Sequence, residues 1–225
     1  MSELSRLHEQ IASCERCPRL RAYCQEVAQT RVKRYRDQAY WGRPVPGFGD
    51  PDPRLYILGL APGAHGANRT GRMFTGDDSG VWLYGALHRH GFANQPESTD
   101  RADGLRLTGA YIGNAARCAP PDNKPLPAEL DSCRPFLAQE LALMPNLKVV
   151  LVLGKIAFDA YLKLRRQQGC DLGRPTFGHG AEYRFVGLPT LLCSYHPSRQ
   201  NTNTGVLTPA MWDAIFARAR QLADS

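Results

Sequence analysis

Four of the seven cysteines fall into two pairs whose spacing suits a metal site. Cys14 and Cys17 are separated by two residues, and Cys118 is separated by fourteen residues from Cys133. Four thiolates can bind a structural zinc ion or an iron–sulfur cluster, so the spacing by itself leaves both open. We predict that these four side chains form one metal site. The other three cysteines have no partner at such a spacing and are expected to be buried thiols.

A second set of residues, Phe74, Asp77, Asn114 and His196, combines an aromatic ring, a carboxylate, an amide and an imidazole. An aromatic ring can stack on a nucleobase, and an amide can both donate to and accept from the edge of a base. A carboxylate and an imidazole can move protons or stabilise charge while a bond breaks. The set therefore suits the binding of one nucleobase, which we expect to lie between the rings of Phe74 and His196.

The segment from Gly59 to Asp77 is rich in glycine, which allows a backbone to approach a ligand closely. We assign Gly59, Ala61 and Gly63, at its beginning, to the binding of the base. The segment contains neither the G-x-G-x-x-G pattern of dinucleotide-binding domains nor the G-K-[ST] pattern of a phosphate loop. Those two kinds of nucleotide site are therefore excluded here.

Four short apolar runs must bring these residues together. Each has the length of a strand and is apolar on both faces, which is typical of buried parallel strands. Segments with helical periodicity lie between the runs, and this alternation predicts an α/β fold. We expect a three-layer sandwich in which helices flank a central, mostly parallel sheet of four strands, residues 54–60, 110–115, 148–153 and 189–195. Ligands of such sheets bind beyond the carboxyl ends of the strands.

Helix signals place the other motifs. An apolar stripe at residues 4, 7 and 11 predicts an N-terminal helix that runs into Cys14. Thr208 followed by Pro209 predicts the start of a C-terminal helix. Pro135 fits best in the first turn of a further helix, which would place Cys133 beside the N-terminus of that helix, where the charge of a thiolate is favoured.

The composition is that of one globular domain. The chain has 225 residues, of which 43% are hydrophobic and 22% charged, and we assign residues 1–225 to a single domain. No apolar run approaches the roughly 18 residues of a membrane span. The N-terminal residues are polar and acidic, unlike a signal peptide, so we expect a cytoplasmic protein without a membrane contact. The formal net charge of +7 favours a polyanionic partner.

Four segments together resemble the motifs of family 5, or type B, uracil-DNA glycosylases: GLAPG from Gly59, GRMFTGD from Gly71, NAARCAPP from Asn114 and HPSRQN from His196. The resemblance extends from Cys14 to the C-terminal helix. It implies a monofunctional DNA repair glycosylase that flips uracil out of DNA and excises it by hydrolysis, which leaves an abasic site. It also implies excision of other deaminated bases, with hypoxanthine, xanthine and etheno adducts as candidates, and a [4Fe–4S] cluster on the four paired cysteines.

The chemistry of this reaction suggests roles for the second set of residues. Cleavage of an N-glycosidic bond leaves negative charge on the base and positive charge on the sugar, and both need stabilisation. We expect Asn114 to hold the base, His196 to hydrogen-bond it as it leaves, and Asp77 to activate the water and offset the sugar charge. Family 4 enzymes carry a glutamate at the position of Leu60. Because this chain has leucine there, Asp77 is the only carboxylate between residues 59 and 77. A helix cap is the alternative role of Asp77.

Basic and polar residues near the motifs are candidates for contact with DNA. Arg69 and Arg72 are expected to grip phosphates that flank the base. The loop after His196 is expected to contact phosphates and to fill the vacated base stack, through Ser198, Arg199, Gln200 and Asn201. Leu207 is a further candidate for that wedge, and the basic, aromatic stretch 31–43 for a second contact. The expected partner is DNA that contains deaminated bases, bound by a monomer.

Two other functions remain open at this stage. A non-enzymatic iron–sulfur or zinc protein that binds nucleic acid would explain the charge and the cysteines, although not the expected convergence of Asp77, Asn114 and His196. A metal-dependent nuclease or phosphotransferase would need clustered carboxylates at the strand ends, where the sequence offers only Asp77 and Asp78.

Overall fold

A six-stranded sheet forms the centre of the structure, a computed structural model that describes residues 1–225. Its strands are β1 Phe48–Gly49, β2 Leu55–Gly59, β3 Ala110–Asn114, β4 Val149–Leu153, β5 Glu182–Tyr183 and β6 Thr190–Ser194. They lie side by side in the order β1-β3-β2-β4-β6-β5. The inner four run parallel to one another and correspond to the four predicted strands.

The two outer strands correct the expectation of a four-stranded sheet. β1 pairs antiparallel with β3, and β5 pairs antiparallel with β6. Each has only two residues, which is too short to produce a recognisable hydrophobic period. Their function in the fold is to cover the edges of the parallel sheet, whose backbone groups would otherwise be free to pair with another chain.

Helices cover both faces of the sheet. They are α1 Glu3–Ala12, α2 Pro18–Thr30, α3 Ala67–Thr70, α4 Asp78–Arg89, α5 Pro127–Ala142, α6 Lys155–Gln167, α7 Arg199–Asn203 and α8 Pro209–Asp224. The predicted start of α8 is confirmed, because the side chain of Thr208 accepts a hydrogen bond from the backbone N–H of Met211 at 3.2 Å. None of these helices combines the length and the apolar character that a membrane span requires.

Successive residues of the inner strands point into two separate cores. Ile57 of β2 belongs to the core that contains Trp212 of α8 and residues of α4. Leu58 belongs to the core on the other face, which contains Phe158 of α6 and residues of α5. Burial on both faces is why the strands appear in the sequence as continuous apolar runs, and it confirms the α/β architecture of helix, sheet and helix layers.

The N-terminal segment is fixed to one of these helical layers. Leu7 and Ile11 of α1 pack with Phe136 of α5. His8 of the same helix forms a hydrogen bond of 2.7 Å between its Nε2 and the hydroxyl of Tyr111, which lies on β3. The segment that carries the first cysteine pair is therefore held beside α5, which carries Cys133.

The position of Pro135 was predicted wrongly. The first turn of α5 is occupied by Pro127, and the backbone N–H of Leu126 before it donates to the carboxylate of Glu129 at 2.7 Å. Pro135 lies in the interior of this 16-residue helix, where it leaves one backbone carbonyl without an N–H partner. Cys133 is consequently a buried residue in the middle of the helix and does not lie at its N-terminus.

Candidate active site

The carboxyl ends of the four inner strands meet at one edge of the sheet. Gly59, the last residue of β2, lies directly opposite Asn114, the last residue of β3. His196 follows two residues after the end of β6. Gly154 follows β4, which lies between β2 and β6 in the sheet. A Cβ atom at Gly154 would lie 3.5 Å from the Cβ of His196. The predicted convergence of these residues is therefore seen in the structure, with Gly154 as a member that the sequence analysis missed.

The side chains of Asn114 and Phe74 meet above Gly59. A Cβ atom built on Gly59 would lie 2.3 Å from Oδ1 of Asn114 and 2.7 Å from Cζ of Phe74. Both distances are shorter than any real carbon contact, so only glycine leaves enough room at this position. Gly59 thus permits the close approach of the aromatic ring and the amide to the end of the sheet.

Replacement of Gly59 by alanine is therefore expected to disable the site while the fold survives. The added methyl group must displace Asn114 or Phe74, and we expect base release to slow by a factor of ten or more, with a small change in melting temperature. The matched control is Gly178→Ala, because a Cβ atom there meets only the Cβ of Ala181, at an ordinary 3.9 Å. Single-turnover assays and thermal unfolding of both variants test this prediction, and an unimpaired Gly59→Ala enzyme would contradict it.

Asn114 carries a buried acceptor that has no partner. Its side chain is 1% exposed, and its Nδ2 lies 3.0 Å from the Sδ of Met73, a weak acceptor. Its Oδ1 forms no hydrogen bond. An unsatisfied buried oxygen is costly and uncommon, and it would be stabilised by a ligand that donates an N–H at this point.

Phe74 has an unusual backbone conformation. Its φ angle is 52°, in the left-handed region that residues other than glycine seldom adopt. Such strained residues are enriched at functional sites, because the surrounding structure must hold them there. The sequence contains no signal for this conformation.

The rings of Phe74 and His196 face each other but are too close to hold a base between them. Their centroids are 5.9 Å apart and their planes are inclined by 30°. A base stacked on both rings would need about 3.5 Å on each side, or roughly 7 Å in all. The structure therefore corrects the expectation that the base lies between the two rings.

His196 is partly buried and uncharged near neutral pH. Burial lowers the pKa of its imidazole to about 4. Its backbone carbonyl accepts hydrogen bonds from Nδ2 of Asn201 at 2.9 Å and from the N–H of Ser198 at 2.8 Å. The hydroxyl of Ser79 donates to the carbonyl of Pro197 at 3.0 Å, so the loop is also held by α4. A neutral imidazole has one N–H group, so in this fixed loop it can donate one hydrogen bond although it carries no positive charge.

Asp77 uses its two carboxylate oxygens in different ways. Oδ1 accepts a hydrogen bond of 3.0 Å from the N–H of Gly80 and caps α4. Oδ2 is directed toward Gly63 and Gly66, where added Cβ atoms would lie 3.0 and 2.1 Å from it. Burial raises the pKa of this carboxyl group. The helix-cap role is therefore real, and it leaves the second oxygen free to act at the glycine-rich loop.

Ala61 and Gly63 lie in the backbone segment that extends the sheet edge. The carbonyl groups of Gly59 and Leu60 accept hydrogen bonds of 3.0 and 2.9 Å from the peptide groups that follow β3. Ala61 and Gly63 are half-buried beside this segment. Gly66, which the sequence analysis did not single out, belongs to the same loop, and its lack of a side chain makes room for Asp77.

Arg69 and Arg72 do not face solvent, so their prediction as phosphate contacts was wrong. Arg69 donates to the carbonyl of His65 at 2.7 Å and to Oε1 of Gln38 at 2.6 Å. Arg72 donates to a carboxylate oxygen of Asp103 at 2.9 Å and is 4% exposed. These partners come from distant parts of the chain, which no local pattern reveals. Both arginines order the loop around the site.

The loop after His196 also divides into internal and exposed residues. Ser198 caps α7 by accepting from the N–H of Asn201 at 3.3 Å, so these two predicted DNA contacts have partners within the protein. Arg199 and Gln200 are exposed, and Arg199 pairs with Asp78. They remain candidates for contact with a phosphate.

Leu207 is packed in the core and cannot serve as a wedge in this conformation. It is 1% exposed, whereas Val206 beside it is 48% exposed. The backbone N–H of Leu207 donates to the carbonyl of Asn201 at 3.0 Å, which fixes the turn after α7.

The four paired cysteines are brought into one region of the molecule. Cys17 packs against a small apolar cluster that contains Cys118, and Cys14 packs against the cluster around Phe136. Burial raises the pKa of the Cys133 thiol to about 11, and the nearby Cys17 and Cys14 thiols raise it as well. No three His, Cys, Asp or Glu side chains in the chain are arranged around a point where a single metal ion would be held.

Two buried arginines next to these thiols have donors without partners. Arg117 is 1% exposed and donates through Nη2 to the buried carboxylate of Glu140, while its Nε and Nη1 form no hydrogen bond. Nε of Arg21, which is 7% exposed, also has no hydrogen-bond partner. The positive charge of Arg117 acts on Cys133, and that of Arg21 on Cys118. The region thus contains unsatisfied positive donors beside four thiols, a set that suits an anionic group.

Comparison with known proteins adds a second kind of evidence. The model of the uracil DNA glycosylase superfamily matches residues 46–220. A type-5 uracil-DNA glycosylase of Mycobacterium tuberculosis is 50% identical over 218 residues, which are 96% of this chain and 81% of the relative. A type-5 uracil-DNA glycosylase of Thermus thermophilus is 49% identical over 213 residues, 95% of each chain. A type-4 uracil-DNA glycosylase of Pyrobaculum aerophilum is 30% identical over 198 residues, 87% of this chain and 83% of the relative.

Proposed function

Because this chain belongs to the uracil DNA glycosylase superfamily, we propose that it hydrolyses the bond between uracil and deoxyribose in DNA. The resemblance drawn from the four sequence motifs is thereby confirmed, and membership favours an enzyme over a non-enzymatic protein that binds nucleic acid. The observation that carries the proposal is the unpartnered, buried Oδ1 of Asn114 beside the ring of Phe74. This oxygen can accept a hydrogen bond from the N3–H group of uracil.

Uracil must leave the base stack to reach this edge of the sheet. Extrusion of a nucleotide costs a few kcal/mol, which the site has to recover by new contacts. The ring of Phe74 can stack on the base, and such stacking contributes roughly 1 to 3 kcal/mol. Because the 5.9 Å gap between the rings excludes a sandwiched base, His196 meets the edge of the base in this arrangement.

The charges that develop in the reaction have a matching group on each side. As the bond breaks, the neutral imidazole of His196 donates a hydrogen bond to the uracil oxygen that gains negative charge. The free oxygen of Asp77 accepts a proton from the attacking water and offsets the positive charge of the sugar. No other carboxylate lies between residues 59 and 77, where Leu60 stands in place of the family 4 glutamate.

The pH dependence of the reaction is expected to report on Asp77. Burial raises the pKa of Asp77, so the reactive carboxylate is lost at a higher pH than that of an ordinary aspartate as the solution is acidified. His196, with a pKa of about 4, stays neutral until the pH falls to about that value. We therefore expect the single-turnover rate to show an acid limb that begins at a higher pH than an ordinary aspartate would give.

Variants assign that limb. His196→Ala should be slower but should keep the limb, whereas the residual activity of Asp77→Asn should lack it. A limb that persists in Asp77→Asn and disappears in His196→Ala would reverse the two assignments.

We propose a substrate range wider than uracil. The amide of Asn114 is held on one side only by the weak acceptor Met73, so it can turn to present either its donor or its acceptor to a base. Hypoxanthine, xanthine and etheno adducts are the candidates. Single-turnover assays with one such base in each oligonucleotide test this range, and release of uracil alone would restrict the site to that base.

The central experiment uses an oligonucleotide with a single deoxyuridine and no added divalent metal. Free uracil and an abasic site are the expected products. An intact strand would contradict the proposal, and direct cuts in the backbone would point to the nuclease alternative. We also propose that the enzyme acts as a monomer in the cytoplasm.

We propose that Cys14, Cys17, Cys118 and Cys133 hold a [4Fe–4S] cluster. Support comes from their shared region and from the unpartnered donors of Arg117, which would face an anionic group there. When bound, the cluster would supply a structural tie, because it would close loops as long as the hundred residues between the two pairs. The thiols would join the segment between α1 and α2 to α5 and to the segment after β3.

A further inference from the structure

Two exposed arginines, Arg43 and Arg101, pack against the ring of Trp41. The guanidinium carbon of Arg43 lies 4.1 Å from the ring centroid, and that of Arg101 lies 4.5 Å from it. We call these two residues the Trp41 arginine pair. The two positively charged guanidinium groups are held beside one ring, so they repel each other unless an anion lies nearby.

The two carboxylates close to Arg101 in the sequence, Asp100 and Asp103, are engaged elsewhere. Asp103 forms its ion pair with the buried Arg72. Asp100 accepts a hydrogen bond of 2.7 Å from the backbone N–H of Ala102. Neither member of the pair forms an ion pair within the protein, so both guanidinium groups keep their donors for an external anion.

The ring of Trp41 is a fixed support. Its backbone N–H donates to the carbonyl of Arg69 at 2.8 Å, and its indole N–H donates to the carbonyl of Pro44 at 3.0 Å. Gly71 lies against the ring, since a Cβ atom there would be 2.8 Å from Cδ2 of Trp41. Stacking on an immobile ring orients a guanidinium group before any ligand arrives.

Arg69 and Arg72 hold the two segments that present the pair. The side chain of Arg69 donates to Gln38, and the backbone carbonyl of Arg69 accepts from the N–H of Trp41. These two hydrogen bonds fix the segment before Arg43. Arg72 binds Asp103, which fixes the segment that contains Arg101. Arg69 and Arg72 are therefore buried and hold in place the two segments that carry the exposed Arg43 and Arg101.

The pair lies beside the candidate active site. Gly71 precedes Phe74 by three residues in the loop that carries Phe74. Tyr40, next to Trp41, forms a hydrogen bond of 3.1 Å with Nδ1 of His65, which lies between the two glycines that face Asp77. Any DNA that delivers a nucleotide to Phe74 therefore passes close to these two cations.

We propose that the Trp41 arginine pair binds phosphates of the DNA backbone next to the extruded nucleotide. A guanidinium group can donate two parallel hydrogen bonds to one phosphate, and the phosphate charge removes the repulsion between Arg43 and Arg101. This inference rests on the proposed function, because it assumes that DNA enters the site at Phe74.

The test measures how salt weakens DNA binding by the full chain. The probe is a fluorescent duplex with one abasic-site analogue, and its anisotropy gives Kd over a series of salt concentrations. The variants are Arg43→Gln, Arg101→Gln and the double variant. The matched control is Arg6→Gln, which removes one exposed charge from α1.

Each substitution in the pair is expected to weaken binding roughly tenfold. The slope of log K against log salt should decrease by about 0.9 for each lost phosphate contact, and by about twice that in the double variant. Arg6→Gln should change neither quantity. A salt slope that stays at the wild-type value in the double variant would overturn the proposal, and so would an equal effect of Arg6→Gln.

Two further readouts separate the alternatives. A lower melting temperature of the double variant with an unchanged salt slope would assign the pair to packing of Trp41 and overturn the binding role. Anisotropy needs no catalysis, so a wild-type chain that releases no uracil but shows the expected slopes would defeat the proposed function and leave this binding surface intact.

Discussion

Replacement of Asp77 by alanine is expected to lower the single-turnover rate of uracil release roughly a hundred- to ten-thousandfold, the range typical of a lost general acid or base. The reason is the position of Oδ2, which faces the glycine-rich loop at Gly63 and Gly66 with no second carboxylate in that loop to replace it. Rapid quenching with enzyme in excess over DNA measures this rate without a contribution from product release.

Asp77→Asn separates catalysis from helix capping. The asparagine oxygen can still accept from the N–H of Gly80, so we expect a melting temperature close to that of the wild type together with the loss in rate. Asp78→Asn is the matched control, because Asp78 lies in the same turn and is exposed. If Asp77→Asn released uracil at a near-wild-type rate, the carboxylate would have no part in the mechanism.

Replacement of Cys133 by alanine is expected to abolish cluster binding and to lower the melting temperature by roughly 10 °C or more. Cys133 is buried in the middle of α5, and its loss would disconnect that helix from the segment between α1 and α2. Iron and acid-labile sulfide per chain, visible absorbance and thermal unfolding measure the effect.

Two other cysteines provide controls for that experiment. Cys170 is half-buried and lies far along the chain from the proposed ligands, so Cys170→Ala should keep its iron. Cys24, whose thiol donates to the carbonyl of Ala119 at 3.6 Å, should also be replaceable by alanine without loss of iron. Full iron content in Cys133→Ala would show that the proposed ligand set is wrong, and one zinc ion in the wild type would restore the zinc alternative.

The inner sheet and the position of the site could be predicted because their signals are local. Each inner strand is a continuous apolar run, and parallel strands bring their carboxyl ends to the same edge of the sheet. The structure adds the strand order and the register, which place Gly59 opposite Asn114. Thr208 carries its own capping signal. These features depend on residues that are neighbours in the sequence or on a general rule of parallel sheets.

The features that could not be predicted depend on distant partners or on backbone geometry. Arg72 looks like a free cation in the sequence, and only the fold supplies Asp103 to it. Pro127 and Pro135 both suit the first turn of a helix, and α5 begins at Pro127, where the backbone N–H of Leu126 donates to the carboxylate of Glu129. The positive φ of Phe74 and its 5.9 Å separation from His196 follow from the whole loop rather than from any motif.

The segment after β3 carries Asn114 and, four residues later, Cys118. The backbone N–H groups of Ala115 and Ala116 donate hydrogen bonds to the carbonyls of Gly59 and Leu60. The backbone of this stretch is therefore fixed against the end of β2. An insertion or deletion of even one residue here would shift either the base-reading amide or the thiol out of register. We therefore expect a change of length to be tolerated elsewhere, as in the connection between α6 and β5, but not within these five residues.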